Sequence, residues 1–256
     1  MSSNPTLVFV PGAWHLPETW DRVTSVIETQ HYKCVSVGLP TTISVSSNFS
    51  DDVNAVKDAI RAETTEGRDV VVVVHSYGGA VGASALKGFT PPQDGSASSG
   101  TGQVIGYILV ASGFMVTGVT FLHNSGGKPP PFWKEDPETG LAILLVDTRE
   151  LFYHDLPEEE GNAWVAKLQK QSMKAFTEGA EDAYAGWKEV PVWFVATVED
   201  KALPFEVQKG FVQKAKDEGG DVTLREIETS HSPMLSKPQE TADVILEAVA
   251  AFKKQK

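Results

Sequence analysis

Short runs of apolar residues alternate along the chain with longer stretches in which apolar residues recur at helical spacing. This alternation is typical of parallel strands joined by crossover helices. The short runs are rich in β-branched residues, as expected for strands that helices cover on both faces. The six predicted strands are Leu7–Val10, Cys34–Val37, Val70–Val74, Ile105–Ala111, Val192–Thr197 and Val222–Ile227. We therefore expect an α/β fold with a mainly parallel, six-stranded sheet at its core.

The clearest helical pattern follows the second apolar run. Residues Asp52–Ala62 carry large apolar side chains at helical spacing, with Ser50 placed as an N-terminal cap and Gly67 beyond the end. The stretch Thr90–Gln103 is rich in Pro, Gly and Ser and predicts an exposed, flexible loop. Further helices are predicted over Gly79–Lys87, Phe205–Lys216 and Pro238–Phe252.

The stretch from residue 113 to residue 189 interrupts the alternation of strands and helices. It is rich in aromatic residues and has no clear β run, so it predicts several short helices. Segments of this length within a compact α/β domain are often active-site lids. We therefore predict a single domain whose core is formed by residues 1–112 and 190–256, with a helical lid over residues 113–189.

The charge of the chain restricts its partners. Its 34 acidic and 22 basic residues give a net charge of −12 over 256 residues. Such a surface repels nucleic acid and anionic membranes, so we expect a small-molecule substrate instead. No apolar stretch approaches the length of a membrane span, and no signal-peptide pattern precedes the first strand. These features predict a cytoplasmic protein.

Cys34 is the only cysteine, which excludes an intrachain disulfide and a cysteine metal cluster. It lies in an apolar run, where we expect a small buried side chain. His123 and His154 fall within the predicted lid without metal-ligand spacing. We therefore expect no metal and no cofactor.

A serine follows the most apolar of the predicted strands. Five valines lead into His75, Ser76, Tyr77 and two glycines, and a helical pattern comes next. A sharp turn from strand to helix would expose Ser76 at the carboxyl end of the sheet and point the Tyr77 amide outward as an oxyanion donor. The usual G-x-S-x-G pattern has a glycine where Val74 stands. An ordinary turn in which the serine caps the helix is the alternative.

A nucleophilic serine needs a base and a group that orients the base. His231 lies after the last predicted strand, and Asp200 lies after the strand before it. The order Ser76, Asp200, His231, each after a strand at its carboxyl end, is the order expected for this fold. Glu199 is the alternative acid, because a different loop conformation would put it in the same place. His75, next to Ser76, is expected to be structural.

The loop after the first strand can supply the second oxyanion donor. Gly12 permits a tight turn there, which leaves the amide of Ala13 free to donate. His15 either braces this loop or faces solvent. An apolar substrate pocket is predicted from Gly12, Trp14, Phe114, Met115, Trp133, Phe152, Trp164 and Trp187. The alternative for most of the aromatic residues is that they only pack the lid onto the core.

Together these motifs resemble the α/β-hydrolase superfamily. Within it, the chain is similar to the branch of plant methylesterases, salicylate-binding esterases and hydroxynitrile lyases, with their fungal and bacterial relatives. The resemblance covers nearly the whole chain and is carried by the segments 8–20, 71–79, 152–187, 193–204 and 229–238. The lyases resemble one another in a threonine of the oxyanion loop and a lysine after the base. Here those positions hold Gly12 and Ser232, which argues against a lyase of that type.

The resemblance implies a serine hydrolase. We expect it to cleave a small or medium-sized apolar ester or lactone through an acyl-enzyme on Ser76. Two alternatives stay open, namely C–C bond cleavage or cyclisation in secondary metabolism with the same triad, and a ligand-binding receptor with vestigial hydrolase activity. The sequence also leaves open whether the protein forms a homodimer.

Overall fold

A computed structural model describes residues 4–92 and 101–255 and confirms the six-stranded sheet. Part of the predicted loop Thr90–Gln103, residues 93–100, lies outside the described residues. The strands are β1 Thr6–Val10, β2 Cys34–Ser36, β3 Val70–His75, β4 Val104–Val110, β7 Val192–Thr197 and β8 Val222–Ile227. They are all parallel, in the order β2-β1-β3-β4-β7-β8. A separate two-stranded sheet contains β5 Trp133–Asp136 and β6 Leu141–Leu144.

The centre of the sheet positions the candidate site. β1 and β3 are hydrogen-bonded neighbours, and all their residues are buried. From β1 the chain passes to β2 on one side and then to β3 on the other, so the strand order reverses between β1 and β3. At such a point the loops that leave the carboxyl ends of the two strands diverge and open a crevice for a ligand. Here these loops are the ones that contain Ala13 and Ser76.

Ten helices accompany the strands in the described parts of the chain. They are α1 Asp21–Glu28, α2 Phe49–Thr65, α3 Gly78–Ala85, α4 Phe121–Asn124, α5 Thr148–Phe152, α6 Glu158–Val165, α7 Lys174–Thr177, α8 Phe205–Asp217, α9 Pro233–Ser236 and α10 Pro238–Gln255. The four predicted helices are present as α2, α3, α8 and α10, whereas α1 was not predicted. The cap of α2 differs from the prediction, since Asn48 and not Ser50 accepts the Asp51 amide in a reciprocal capping box.

The 113–189 segment contains short helices α4 to α7 as predicted, but the expectation that it lacks strands was wrong. The antiparallel pair β5–β6 lies in its middle, and Gly140 with φ of +70° helps to form the turn between the strands. Each strand has only four residues, and two of those in β5 are exposed charged side chains. Such short strands give almost no alternating pattern, which explains why the sequence did not indicate them.

The structure also bears on two other expectations, namely the absence of a membrane span and the burial of Cys34. Across residues 4–92 and 101–255, no helix has both the length and the apolar character needed to span a membrane. Cys34, expected to be buried, is only partly buried on the edge strand β2. Its environment still raises the pKa of the thiol to about 12, mainly because burial disfavours the thiolate.

Candidate active site

Ser76 lies in a sharp turn between β3, which ends at His75, and α3, which begins at Gly78. Its φ is +50°, a left-handed conformation that is strained for any residue with a Cβ. The neighbouring strand holds this conformation, because the Ser76 amide donates to the Val110 carbonyl at 3.1 Å and Ser112 Oγ donates to the Ser76 carbonyl at 2.6 Å. The turn therefore presents a half-buried Ser76 to the cavity beyond the carboxyl end of the sheet.

The two glycines after Tyr77 allow the turn to pack closely against its neighbours. A Cβ added at Gly78 would lie 2.5 Å from the carbonyl oxygen of Pro11, and one at Gly79 would lie 2.0 Å from Ser112 Oγ. Both distances are far shorter than a van der Waals contact. Because Gly78 has no side chain, the loop after β1 can lie close to the turn that holds Ser76. Because Gly79 has none, there is room for the Ser112 hydroxyl that donates to the Ser76 carbonyl.

Val74 stands where this kind of turn usually has its first glycine, and the structure shows how the larger side chain fits. Val74 is fully buried, and it packs against Gly82 on the second turn of α3. A Cβ added at Gly82 would lie 2.5 Å from Val74 Cγ1. The glycine on the helix thus makes room for the valine on the strand.

Gly82→Ala is expected to destabilise the fold by about 1–2 kcal/mol, because the overpacking against Val74 outweighs the gain in helix propensity. Val74→Ala alone should also destabilise, because it leaves a cavity. The double variant should lose less stability than the sum of the two single variants, as urea unfolding can measure. Simple additivity would show that the two residues are not coupled.

The structure brings His231 and Asp200 into direct contact. His231 Nδ1 lies 2.7 Å from Asp200 Oδ2, and both side chains are almost completely buried. Glu199, the alternative acid, is exposed. His231 and Ser76 line the same cavity, so the base and the nucleophile face a common space. Asp200 is therefore the residue placed to hold the ring of His231.

The loop around Asp200 presents hydrogen-bond donors to both of its carboxylate oxygens. Oδ1 accepts the amides of Ala202 and Leu203 at 2.8 and 2.7 Å. Oδ2, the oxygen that faces His231, also accepts the Thr197 hydroxyl at 2.7 Å and Gln208 Nε2 at 3.3 Å. These donors satisfy a buried carboxylate that would otherwise be costly, and they fix its orientation.

Two further histidines support the site without facing the substrate cavity. His75 Nε2 lies 2.8 Å from the carbonyl of His231, and burial lowers the pKa of His75 well below its usual value. His75 is therefore neutral and donates to that carbonyl, which agrees with the structural role expected for it.

His15 braces the loop after β1. Burial lowers its pKa to about 4, so the ring is neutral, and it lies 2.6 Å from the Ala13 carbonyl and 2.7 Å from the Tyr153 hydroxyl. Because a carbonyl can only accept, His15 Nδ1 carries the proton and Nε2 accepts from Tyr153. The structure therefore shows that His15 braces this loop and does not face solvent.

The amides of Ala13 and Tyr77 are available to a ligand. Both residues line the cavity beside Ser76. Within the described parts of the chain, neither amide has a protein acceptor. Amides with no acceptor at a cavity wall, one of them at the start of α3, can donate to a developing oxyanion. The Tyr77 side chain points the other way, where its hydroxyl donates to buried Asp52 at 2.8 Å.

The cavity has a volume of about 610 Å³, within the usual range for small-molecule sites. Five of the residues predicted for the pocket line it, namely Trp14, Phe114, Trp133, Phe152 and Trp187. Sequence reasoning missed other aromatic residues that complete the wall, namely Phe121, Phe132, Phe176 and Phe211. Several of these lie in the aromatic-rich 113–189 segment, so their abundance there was a usable signal. Around Ser76 the wall is largely apolar and aromatic.

Three residues predicted for the pocket lie elsewhere. Met115 is fully buried, and its carbonyl accepts Trp187 Nε1 at 2.8 Å. Trp164 lies at a separate small cleft with the ammonium of Lys167 4.2 Å from its ring centre. Gly12 is packed beneath the site, where an added Cβ would lie 3.0 Å from His75 Nδ1.

The 113–189 segment contacts the loops that carry the acid, the base and the oxyanion donor. Trp14 Nε1 donates to the Ala142 carbonyl at 3.0 Å, which anchors the β1 loop. The Ser230 amide donates to Asp155 Oδ2 at 3.0 Å, which anchors the loop of the base. His154 Nε2 lies 2.9 Å from the carbonyl of Glu199 in the acid loop. The segment therefore helps to position these three loops.

Comparison with known proteins gives consistent matches over most of the chain. The profile of the alpha/beta hydrolase family matches residues 7–244. The alpha/beta hydrolase nvfD of Aspergillus novofumigatus is 28% identical over 91% of this chain and 92% of its own. Methylesterase 1 of Arabidopsis thaliana is 25% identical over 96% of each chain. The predicted resemblance to plant methylesterases and fungal relatives is confirmed.

Solved structures show the same fold. The pyrethroid hydrolase from Sphingobium faniae JZ-2 superposes with a TM-score of 0.73 at 20% identity, covering 97% of this chain and 98% of its own. At this identity the likeness establishes the architecture, and the residues of this chain must indicate the chemistry.

Proposed function

Because this chain belongs to the α/β hydrolase family, we propose that it hydrolyses a small or medium-sized apolar carboxylic ester or lactone through an acyl-enzyme. The observation that carries the proposal is the contact of His231 with Asp200 beside a cavity that Ser76 also lines. The substrate is recognised without a metal or cofactor.

In the acylation step, Ser76 Oγ attacks the carbonyl carbon while His231 Nε2 takes its proton. Asp200 keeps the Nδ1 proton of His231 in place, so that Nε2 has the free lone pair. The carbonyl oxygen gains negative charge and accepts from the amides of Ala13 and Tyr77. His231 then returns the proton to the leaving alkoxide, which departs as the alcohol.

Water completes the reaction. His231 removes a proton from a water molecule that attacks the acyl carbon, and the same two amides stabilise the second oxyanion. Collapse of this intermediate releases the acid and returns the proton to Ser76. With a lactone the acid and the alcohol remain in one molecule, so the same steps open the ring.

The cavity wall supports an apolar substrate. Aromatic side chains from the core and from the 113–189 segment meet around Ser76, including Trp14, Trp133, Phe152 and Phe176. Such a wall binds apolar or aromatic groups by burying their surface. We propose that the 113–189 segment acts as the lid that excludes water from these groups.

The acyl-enzyme is tested with a fluorophosphonate, which reacts with activated serines. Intact-mass measurement is expected to show one adduct on the folded protein, and peptide mapping is expected to place it on Ser76. Protein unfolded in urea should not react, because activation needs the assembled site. The absence of an adduct on folded protein would contradict the proposal.

A panel of esters and lactones then separates hydrolysis from the alternatives. Turnover that increases with apolar acyl groups, up to a limit set by the cavity, is expected. Labelling of Ser76 without turnover of any ester or lactone would instead favour a receptor or C–C bond chemistry.

A further inference from the structure

A continuous chain of hydrogen bonds runs through the interior beneath the two proposed oxyanion donors. The amide of Trp14 donates to Gln171 Oε1 at 3.1 Å, and Gln171 Nε2 donates to Thr41 Oγ1 at 2.9 Å. Thr41 Oγ1 donates to Asp52 Oδ2 at 2.6 Å, and the Tyr77 hydroxyl donates to the same oxygen at 2.8 Å. The chain therefore joins the loop after β1 to the turn after β3.

The bonds of this chain have a fixed direction, and the charge of Asp52 sets it. An ionised carboxylate can only accept, so the hydroxyls of Thr41 and Tyr77 both donate to it. Thr41 has then used its hydrogen and can only accept from Gln171. The Gln171 amide must therefore turn its oxygen toward the Trp14 amide. The buried charge of Asp52 thus fixes the orientation of a side chain that holds the other loop.

The loop that this chain holds has a strained backbone. Trp14 directly follows Ala13, and its φ is +63°. Non-glycine residues keep such a conformation only when their surroundings enforce it. Here the 113–189 segment binds Trp14 at three atoms, because Gln171 accepts its amide, the Gln169 amide donates to its carbonyl at 2.8 Å, and the Ala142 carbonyl accepts its indole.

We propose that Asp52 and Gln171 are positioning residues for oxyanion binding, whose hydrogen-bonded chain holds the amides of Ala13 and Tyr77 toward the reacting carbonyl. This inference rests on the proposed function. Neither Asp52 nor Gln171 is among the residues that line the cavity, so both act through the backbone they hold. Both side chains are completely buried.

Asp52 carries its charge at the expense of stability. Burial raises the pKa of its carboxyl to about 6, despite the hydrogen bonds from Thr41 and Tyr77. The titratable groups that affect the pKa of Asp52 are Tyr77, in the turn after β3, and Asp51, its neighbour on α2. A carboxyl with a raised pKa makes the fold less stable at neutral pH than a neutral group would. Groups that lower the stability of the fold but position other residues are common at functional sites.

The Asp52→Asn variant tests this directly. The side chain keeps its shape, and because the Thr41 amide donates to Oδ1 at 3.0 Å, the new NH₂ group takes the place of Oδ2 and donates toward Thr41 Oγ1 and Tyr77. The Thr41 hydrogen then loses its acceptor, and it regains one only if the Gln171 amide turns over and leaves the Trp14 amide without an acceptor. Either way the chain is broken at one bond. We expect kcat to fall roughly tenfold or more with KM within about twofold, because oxyanion contacts act mainly in the transition state. Its stability should gain from the loss of the buried charge and lose from the broken hydrogen bond, so the change in Tm with pH is more informative than its value at one pH.

The pH dependence of the difference in Tm gives a second readout. As the pH falls from 8 through about 6 toward 4, wild-type Asp52 takes up a proton in the folded state and its stability penalty fades. The Tm of Asp52→Asn relative to the wild type should therefore be highest at pH 8 and fall on acidification. A residue whose charge stabilises the fold would show the opposite trend, with the relative Tm of the variant lowest at pH 8.

Gln171→Met tests the chain at another residue. Methionine has nearly the same shape as glutamine and cannot bond to Thr41 or Trp14, so kcat should fall as in Asp52→Asn with little change in KM. Thr241→Val is the matched control, because Thr241 is completely buried on α10 and donates to the Lys237 carbonyl at 2.9 Å, away from the cavity. It should lower the Tm and leave kcat unchanged.

The outcomes separate this inference from the proposed function. If wild-type protein is labelled at Ser76 and turns over substrate, while Asp52→Asn and Gln171→Met keep the wild-type kcat, the inference is wrong and the proposed function stands. Losses of kcat that simply follow losses of Tm, in Thr241→Val as well, would also overturn it. A wild type that is never labelled would overturn both.

Discussion

Ser76→Ala is expected to reduce kcat by roughly 10⁴- to 10⁶-fold, because it removes the hydroxyl that forms the acyl-enzyme. The fold should be unaffected. The turn is held by the backbone of Ser76 and not by its hydroxyl, because the Ser76 amide donates to the Val110 carbonyl and the Ser76 carbonyl accepts from Ser112 Oγ. Substrate binding should therefore persist, and the measurement is kcat on the best ester together with Tm and the Kd of a non-hydrolysable analogue.

Ser84→Ala is the matched control for Ser76→Ala. Ser84 is completely buried on α3, and its hydroxyl donates to the Ala80 carbonyl at 2.8 Å without lining the cavity. The same hydroxyl accepts the Tyr184 amide at 3.1 Å. Its replacement should therefore lower Tm and leave kcat within about twofold. If Ser76→Ala retained substantial turnover, the covalent mechanism would be wrong, and the site would act through His231 and the oxyanion donors alone.

Much of this site could be predicted because its parts follow buried strands. A continuous run such as the five valines of β3 identifies a central strand, and parallel strands place the residues after them at one edge of the sheet. Ser76, Asp200 and His231 were therefore recognisable from position and order. The sequence did not choose firmly between Asp200 and Glu199, because adjacent side chains point in different directions and only the loop conformation decides which one is buried.

The chain of hydrogen bonds beneath the site could not be predicted. Asp52 lies in the first turn of an amphipathic helix, where a carboxylate normally faces solvent and favours the helix dipole. Thr41 and Gln171 are 130 positions apart. They meet only because the 113–189 segment folds back onto the core, and no local pattern in the sequence indicates such a contact. The hairpin of that segment was missed for a different reason, since its four-residue strands are too short to give an alternating pattern.

The residues that could be predicted and those that could not are positioned by different parts of the fold. The proposed triad lies on loops fixed by the sheet, so its geometry follows from the fold. The Ala13 loop leaves the sheet in a strained conformation at Trp14 and depends on the 113–189 segment. Variation in that segment can therefore change both the cavity wall and the oxyanion contact, which links the choice of substrate to the rate of reaction.

Asp200→Asn is expected to lower kcat by roughly 10⁴-fold while the fold persists. The amides of Ala202 and Leu203 require an oxygen at one position of the side chain, which places the new NH₂ group toward His231 Nδ1. That group can only donate, so Nδ1 must accept and the proton of the neutral ring moves to Nε2. His231 then presents a hydrogen to Ser76 where a lone pair is needed.

Glu199→Gln decides whether this loss belongs to Asp200 alone. Glu199 is exposed, and the bonds it makes to Thr229 and His154 use its backbone, so the substitution leaves the loop intact. We expect its kcat to stay within about twofold of the wild type and its rate of fluorophosphonate labelling to be unchanged, whereas labelling of Asp200→Asn should slow in parallel with kcat. Equal losses in the two variants would mean that the acid loop adopts another conformation during catalysis, with Glu199 taking the place of Asp200 beside the base.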